Sequence, residues 1–184
     1  MRKIFDIIVL FLIGAFPLFA QEQVEQKGDD EGSYPHRLSI MMANSHIPAA
    51  DDVNGKKTVF IVPTWGIDYD YWFGEKWAIG LHNDIVLQQY KIEEREGKDV
   101  IERSFPVGVC IVGLFKPWRK ITLIAGVGKE LERSESFNMV NFGVEYGIEL
   151  PKHWELSVNL LYDSKLKVYD SWIFGVGFSR FLKK

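Results

Sequence analysis

Three side chains near the middle of the chain have the makings of a reactive site: Asp68, His82 and Asp84. Two carboxylates and an imidazole can hold a divalent cation or pass a proton, provided the fold brings them to one point. A metal needs three or more converging ligands, and His82 is the one histidine whose neighbours across a strand pair can be assigned. Polar packing inside a confined space accounts for the same residues and is their expected role. A second group, His46 with Asp51 and Asp52, falls in a long polar connection and reads as a solvated loop. Ser45 and His46 are the only hydroxyl–imidazole neighbours placed for acyl transfer. Successive strand residues point to opposite sides, so the two cooperate poorly. The single cysteine, Cys110, reads as a small buried apolar residue. The sequence holds no phosphate-cradling glycine loop, no zinc spacing and no serine-nucleophile turn. No cofactor, no metal and no catalytic residue are therefore expected.

The elements that position these residues repeat a pattern of period two. Phe142, Val144, Tyr146, Ile148 and Leu150 share one face of a segment, and Asn141, Gly143, Glu145, Gly147 and Glu149 share the other. Trp154, Leu156, Val158, Leu160 and Tyr162 repeat the apolar face in the next segment. Strands expose alternate residues on opposite faces, so each segment is a ribbon with one apolar and one polar side. Eight strands are predicted, at residues 36–45, 58–73, 77–92, 100–115, 120–132, 137–150, 154–166 and 169–182. Short turns at 73–77, 115–119 and 150–154 alternate with longer or more charged connections at 44–57, 93–99, 133–136 and 164–168. Apolar faces match across a hairpin only when opposed residue numbers sum to an even value. Phe73 opposite Trp77 gives 150, and Leu150 opposite Trp154 gives 304.

The ends and the composition set the compartment. Arg2 and Lys3 precede an uncharged run of 14 residues, Ile7 to Ala20, with a cleavage pattern at its end. That run is shorter than the roughly 20 residues needed to span a bilayer, so residues 1–20 read as a cleaved signal peptide. Residues 21–33 are a flexible polar lead-in, and 34–184 form one domain. Removing the first 20 residues takes away Arg2, Lys3 and Asp6, leaving 20 basic and 24 acidic residues and a net charge of −4. A nucleic-acid partner would require a basic excess and is not expected. With one cysteine, the fold has no internal disulfide to rely on.

Alternation does not say which face points inward. A soluble lipocalin-like barrel would wrap its apolar face around a ligand. Three features favour apolar outward. The polar face carries many glycines, which relieve crowding in a narrow barrel. Trp72, Trp77, Trp118 and Trp154 gather beside the short turns, as an interfacial aromatic belt would. The continuous row Trp172, Phe174, Val176 and Phe178 would be too large an apolar patch for water. The expected fold is an all-β, eight-stranded, antiparallel, up-and-down transmembrane barrel.

The segment from Val62 to His82 resembles a hairpin of the small eight-stranded outer-membrane proteins of Gram-negative bacteria, the OmpA/OmpX-like barrel class. The ending Gly175-Val-Gly-Phe-Ser-Arg-Phe181 resembles their aromatic final strand, although Leu182, Lys183 and Lys184 follow it here. The resemblance implies a cell outer-membrane location, outer-membrane lipid as surroundings, and the barrel-assembly machinery as a partner through the C-terminal strand. It assigns no surface partner, because the class includes adhesins, lipid enzymes and proteins with no assigned role. The reading is a non-enzymatic, porin-like barrel with a filled lumen. A membrane-embedded lipid-modifying enzyme and a lipocalin-like binder are the alternatives.

The same registers place Asp68 opposite His82, Gly66 opposite Asp84, Asp70 opposite Gly80, Glu145 opposite Asn159 and Glu149 opposite Glu155. Arg37 is the cation nearest Asp70. Carboxylates in a confined site need partners, so a lumen network containing Asp68–His82 and Arg37–Asp70 is expected. Glu149 and Glu155 repel unless a basic turn residue or a shared proton offsets them.

Overall fold

A computed structural model describes residues 34–48, 59–93, 100–133, 135–166 and 168–183. The expected signal peptide and lead-in (1–33), the Asp51–Asp52 loop and most of the 93–99 connection lie outside the described residues.

Ten strands are present among them: β1 (His36–Pro48), β2 (Val59–Trp72), β3 (Trp77–Val86), β4 (Gln89–Glu93), β5 (Val100–Ser104), β6 (Val107–Trp118), β7 (Ile121–Leu131), β8 (Phe137–Leu150), β9 (Trp154–Lys165) and β10 (Tyr169–Leu182). Eight of them close into an antiparallel barrel in the order β1-β10-β9-β8-β7-β6-β3-β2. Closure pairs every backbone edge, which a sheet in hydrocarbon requires. The seam joins the first strand to the last, with Ile40 opposite Phe178 and Met42 opposite Val176.

Burial settles the facing. Phe142 and Phe174 are 51% and 55% exposed, whereas Glu145 and Asn159 are each 5% exposed. Val144, Leu156, Val158, Ile40, Ile67 and Ile111 join the outer apolar surface. A lipocalin-like arrangement is thereby overturned, since the apolar faces enclose nothing and form the exterior. At one end the strands are joined by short turns. Phe73 N donates to Trp77 O at 3.1 Å across the β2–β3 turn. Residues 119–120 link β6 to β7, after a register shift at Lys116–Pro117 where proline has no N–H to offer. A 3-10 turn, Pro151–His153, links β8 to β9.

The third and fourth predicted strands are each broken. Paired residue numbers sum to 192 along β3–β6, as for Ile85 and Val107, but to 193 along β4–β5, as for Gln89 and Ser104. Between the two registers three residues, Val86 to Gln88, stand against two, Phe105 and Pro106. Phe105 has φ 48, in the left-handed region, and Pro106 cannot donate to a ladder. Beyond this point β4 and β5 form a separate two-stranded hairpin. Its Tyr90, Ile92 and Ile101 pack on Ile47, Val62, Val86, Phe137, Val168 and Tyr169 at the long-loop end of the barrel. The hairpin is a cap over the lumen, held by an apolar cluster.

Candidate functional site

The lumen is the site the strands enclose. At the short-turn end its hub is Arg37, near the start of β1 and 1% exposed. Its Nε donates to Asp70 Oδ2 at 2.8 Å. Its Nη1 donates to Glu145 Oε1 at 2.5 Å and to Glu155 Oε1 at 3.0 Å, reaching across the lumen to β8 and β9. Lys116 Nζ stands 3.8 Å from Glu155 Oε2. The indole of Trp72 closes this layer, 5.8 Å from the Arg37 guanidinium carbon and 5.3 Å from Lys116 Nζ.

One expected contact and one expected location are corrected here. His82 does not bond Asp68, its register partner. Its Nε2 lies 2.9 Å from Asp70 Oδ1, while Asp68 Oδ1 accepts from the Asn83 backbone N–H at 3.2 Å. A diagonal cross-strand neighbour is within reach of a long side chain, and Asp70 is already oriented by Arg37. Glu149 is not a lumen residue. It is exposed at the rim and accepts from Arg119 Nη2 at 3.1 Å. Glu155 takes Arg37 and Lys116, so the two carboxylates do not oppose each other inside.

The aromatic belt is also corrected. Trp77, Trp118 and Trp154 lie on the outside, with Trp77 against Phe115 at 4.4 Å and Trp154 stacked on Phe178 at 4.6 Å between centroids. Trp72 is buried in the lumen. Its position shares the parity of Asp68 and Asp70, which decides its direction whatever its residue type.

An apolar cluster inside the barrel includes Trp72 of the hub together with Met41, Val112, Leu114, Leu161 and Ile173. Cys110 belongs to it, buried and free. Asp68, His82, Asp84, Asn141 and Asp163 line, together with Met41, Cys110, Leu161 and Ile173, a space of about 20 Å3, roughly room for one water. Asn141 Nδ2 donates to Asp163 Oδ1 at 2.6 Å. Its Oδ1 is buried without a partner among the described residues. Asp84 lies against Gly108, where a side chain would collide with its carboxylate. Asn159 donates to Ser157 Oγ at 3.0 Å. Among the described residues, no group of three or more His, Cys, Asp or Glu is arranged to hold a metal.

At the long-loop end a second ionic layer ties the cap to the barrel. Arg103 of β5 donates to Glu130 Oε1 at 2.6 Å and lies 2.9 Å from Glu132 Oε2. Tyr169 donates to Glu130 Oε2 at 2.5 Å. Its only proton is thereby used, so Tyr90 of β4 is the donor in the 2.8 Å Tyr90–Tyr169 bond. Lys165 Nζ donates to Ser171 Oγ at 2.7 Å and stands 3.7 Å from Glu130. Burial pushes the Tyr90 hydroxyl above its ordinary value, and the Glu130 charge adds to the rise. Sequence reasoning missed this layer. Arg103 lies on the outward parity of a continuous strand, and only the one-residue slip at Phe105–Pro106 turns it inward.

Among the described residues, none is placed to activate a nucleophile at the Ser45–His46 pair. Ser45 is buried and 2.6 Å from Thr64 Oγ1, while His46 sits on the opposite side of the strand.

A closed eight-stranded barrel with an apolar exterior and an ionic interior is a small outer-membrane barrel, and the outer membrane is where this fold and surface place it. Among solved structures, the chain is similar to Ail, the attachment invasion locus protein of Yersinia pestis, solved with the heparin analogue sucrose octasulfate. The TM-score is 0.51 at 16% identity, over 80% of this chain and 99% of that one. Neisserial surface protein A gives 0.46 at 13% identity, over 83% of this chain and 100% of that one. Designed transmembrane β-barrels give 0.44 at 9% identity, over 80% and 98%. The likeness is one of fold. No family model matches the chain, and no curated protein matches it in sequence.

Proposed function

We propose that this protein is a non-enzymatic outer-membrane barrel. Its lumen is a load of paired charges that brace the wall, and its outward business is done by the loops and the β4–β5 cap. The observation that carries the reading is the combination of an apolar exterior with an interior filled by paired charges and a buried apolar cluster. Such a lumen leaves no continuous aqueous path, so the barrel conducts little. Residues 1–20 serve as the export signal and 21–33 as the lead-in. The short-turn end and both termini face the periplasm, the usual layout of these barrels. The C-terminal strand is the segment the assembly machinery engages.

The test is membrane fractionation combined with gel mobility before and after boiling. The protein should sediment with outer membranes and migrate differently when unboiled. Recovery in the soluble periplasmic fraction would overturn the reading. In planar bilayers the folded protein should give no large stable currents, and their appearance would refute the filled lumen.

A further inference from the structure

The chain carries a net charge of −3, yet its short-turn rim is basic. Lys76, Arg119, Lys120, Lys152, Arg180 and Lys183 are all exposed there, against Glu75 and Glu149. Every corner of the rim contributes: the β2–β3, β6–β7 and β8–β9 turns, and the end of β10. The other carboxylates of this end are turned inward, as Asp70, Glu145 and Glu155 on Arg37. Among the described residues, these exposed cations outnumber the exposed carboxylates of this perimeter six to two.

Two local features bear on how these cations are held. The Arg180 guanidinium carbon lies 5.0 Å over the Trp154 ring, and Trp154 in turn stacks on Phe178. An outward cation is thus held at the level where the apolar belt ends. Lys152 has φ 62 and ψ 35, a left-handed conformation that glycine adopts more cheaply. The turn keeps a lysine there at a conformational cost. His153, also at positive φ, stacks on Tyr34 at 3.8 Å and fixes the turn.

We propose that this rim binds the headgroups of anionic phospholipids in the leaflet it faces, with phosphate diesters seated between Arg180–Trp154 and the lysines of the adjoining turns. The proposal rests on the barrel being embedded in lipid, and adds a preference for which lipid surrounds one end. Each cation at an anionic membrane surface is worth about fivefold in local partition, so the preference is large enough to measure.

The experiment reconstitutes the full folded chain in bilayers of equal phosphatidylglycerol and phosphatidylcholine with matched acyl chains. Native mass spectrometry then counts the lipids that stay bound on extraction. Phosphatidylglycerol should be retained at least about fivefold over phosphatidylcholine. The ratio should fall towards one in K76Q/K120Q/K152Q/R180Q and stay unchanged in K91Q/K129Q, which alters charge away from this rim. K152G/R180Q is a second variant, because glycine suits the left-handed backbone and preserves folding while two cations are lost. Equal retention of both lipids by the wild type, or undiminished preference in the folded variants, overturns the proposal. So does binding of peptidoglycan sacculi through the same lysines with no lipid preference. Failure of the wild type to insert at all, read by gel mobility, strikes the outer-membrane reading itself and is distinguishable.

Discussion

Replacing Arg37 with methionine removes the hub of the short-turn layer while keeping an unbranched side chain of similar length. Three hydrogen bonds to ionised groups disappear, at 2.8, 2.5 and 3.0 Å. Taken singly, bonds of this kind contribute about 1.5–3 kcal/mol each. Their simple sum overstates the loss, because two of the three carboxylates keep another partner. Asp70 retains His82 at 2.9 Å, and Glu155 retains Lys116 at 3.8 Å. Glu145 is the carboxylate left buried with no cation, and stranding one buried charge costs about 3–5 kcal/mol. The middle of that range corresponds to about a thousandfold in the unfolding equilibrium. Urea unfolding of the barrel in lipid vesicles, followed by tryptophan fluorescence and by unboiled gel mobility, measures it. The variant R37M/D70N/E145Q/E155Q should recover most of the loss, since it strands no buried carboxylate and leaves only the half-buried Lys116 without Glu155. An R37M barrel within about 1 kcal/mol of wild type, or a neutralised variant no better than R37M, would refute the reasoning.

A side chain at Gly128 would run into the Val109 carbonyl and Cys110, so G128V should destabilise by about 1–3 kcal/mol or block folding. G74A, where nothing lies within 4 Å, should stay within about 0.5 kcal/mol of wild type in the same urea assay. The raised folded value of Tyr90 means that its neutral form is favoured in the folded protein. The stability it contributes is complete below its ordinary value of 10.0 and is lost as pH rises beyond it. Tyrosinate absorbance should show Tyr90 resisting ionisation at a pH where Y90F reveals the other tyrosines titrating; simultaneous titration would contradict its burial under the cap. Finally, R103L removes the ion pairs that tie β5 to Glu130 and Glu132. Trypsin should then cut faster after Lys91 while the gel mobility of the barrel is unchanged, and an unchanged cutting rate would show that the ion pairs do not hold the hairpin down.

The period-two pattern makes the barrel legible because each strand reports its two faces independently of its neighbours. Parity extends this to hairpins: the pairings Asp68–His82, Gly66–Asp84 and Glu145–Asn159 all occur as Cα partners. Two kinds of information are not local. One is the single-residue slip at Phe105–Pro106, which converts the tops of two long strands into a cap and turns Arg103 inward. A proline at the break is visible in the sequence, but the compensating change of parity depends on what Tyr90 and Ile92 can cover. The other is side-chain reach and enclosure. Trp72 looks like a belt residue by its type, yet parity sends it inward. Glu149 has inward parity, yet parity at a strand end does not guarantee enclosure.

His82 shows why reach matters for the whole molecule. By bonding diagonally to Asp70 rather than straight across to Asp68, it shares an acceptor with Arg37. Arg37 in turn holds Glu145 and Glu155, and Glu155 meets Lys116. One connected set of charges therefore spans β1, β2, β3, β6, β8 and β9. Hydrogen-bonded ladders fix each strand only to its two neighbours, and the circle closes at the β1–β10 seam, where a local slip would be cheapest. Ties across the lumen, such as Arg37 to Glu145 over 108 residues of sequence, oppose such a slip directly. Moving β1 by one residue would swing the guanidinium out of the lumen and leave at least three carboxylates behind. The interior charge thus selects one register of the closed barrel, a role that an apolar filling, indifferent to direction, could not perform.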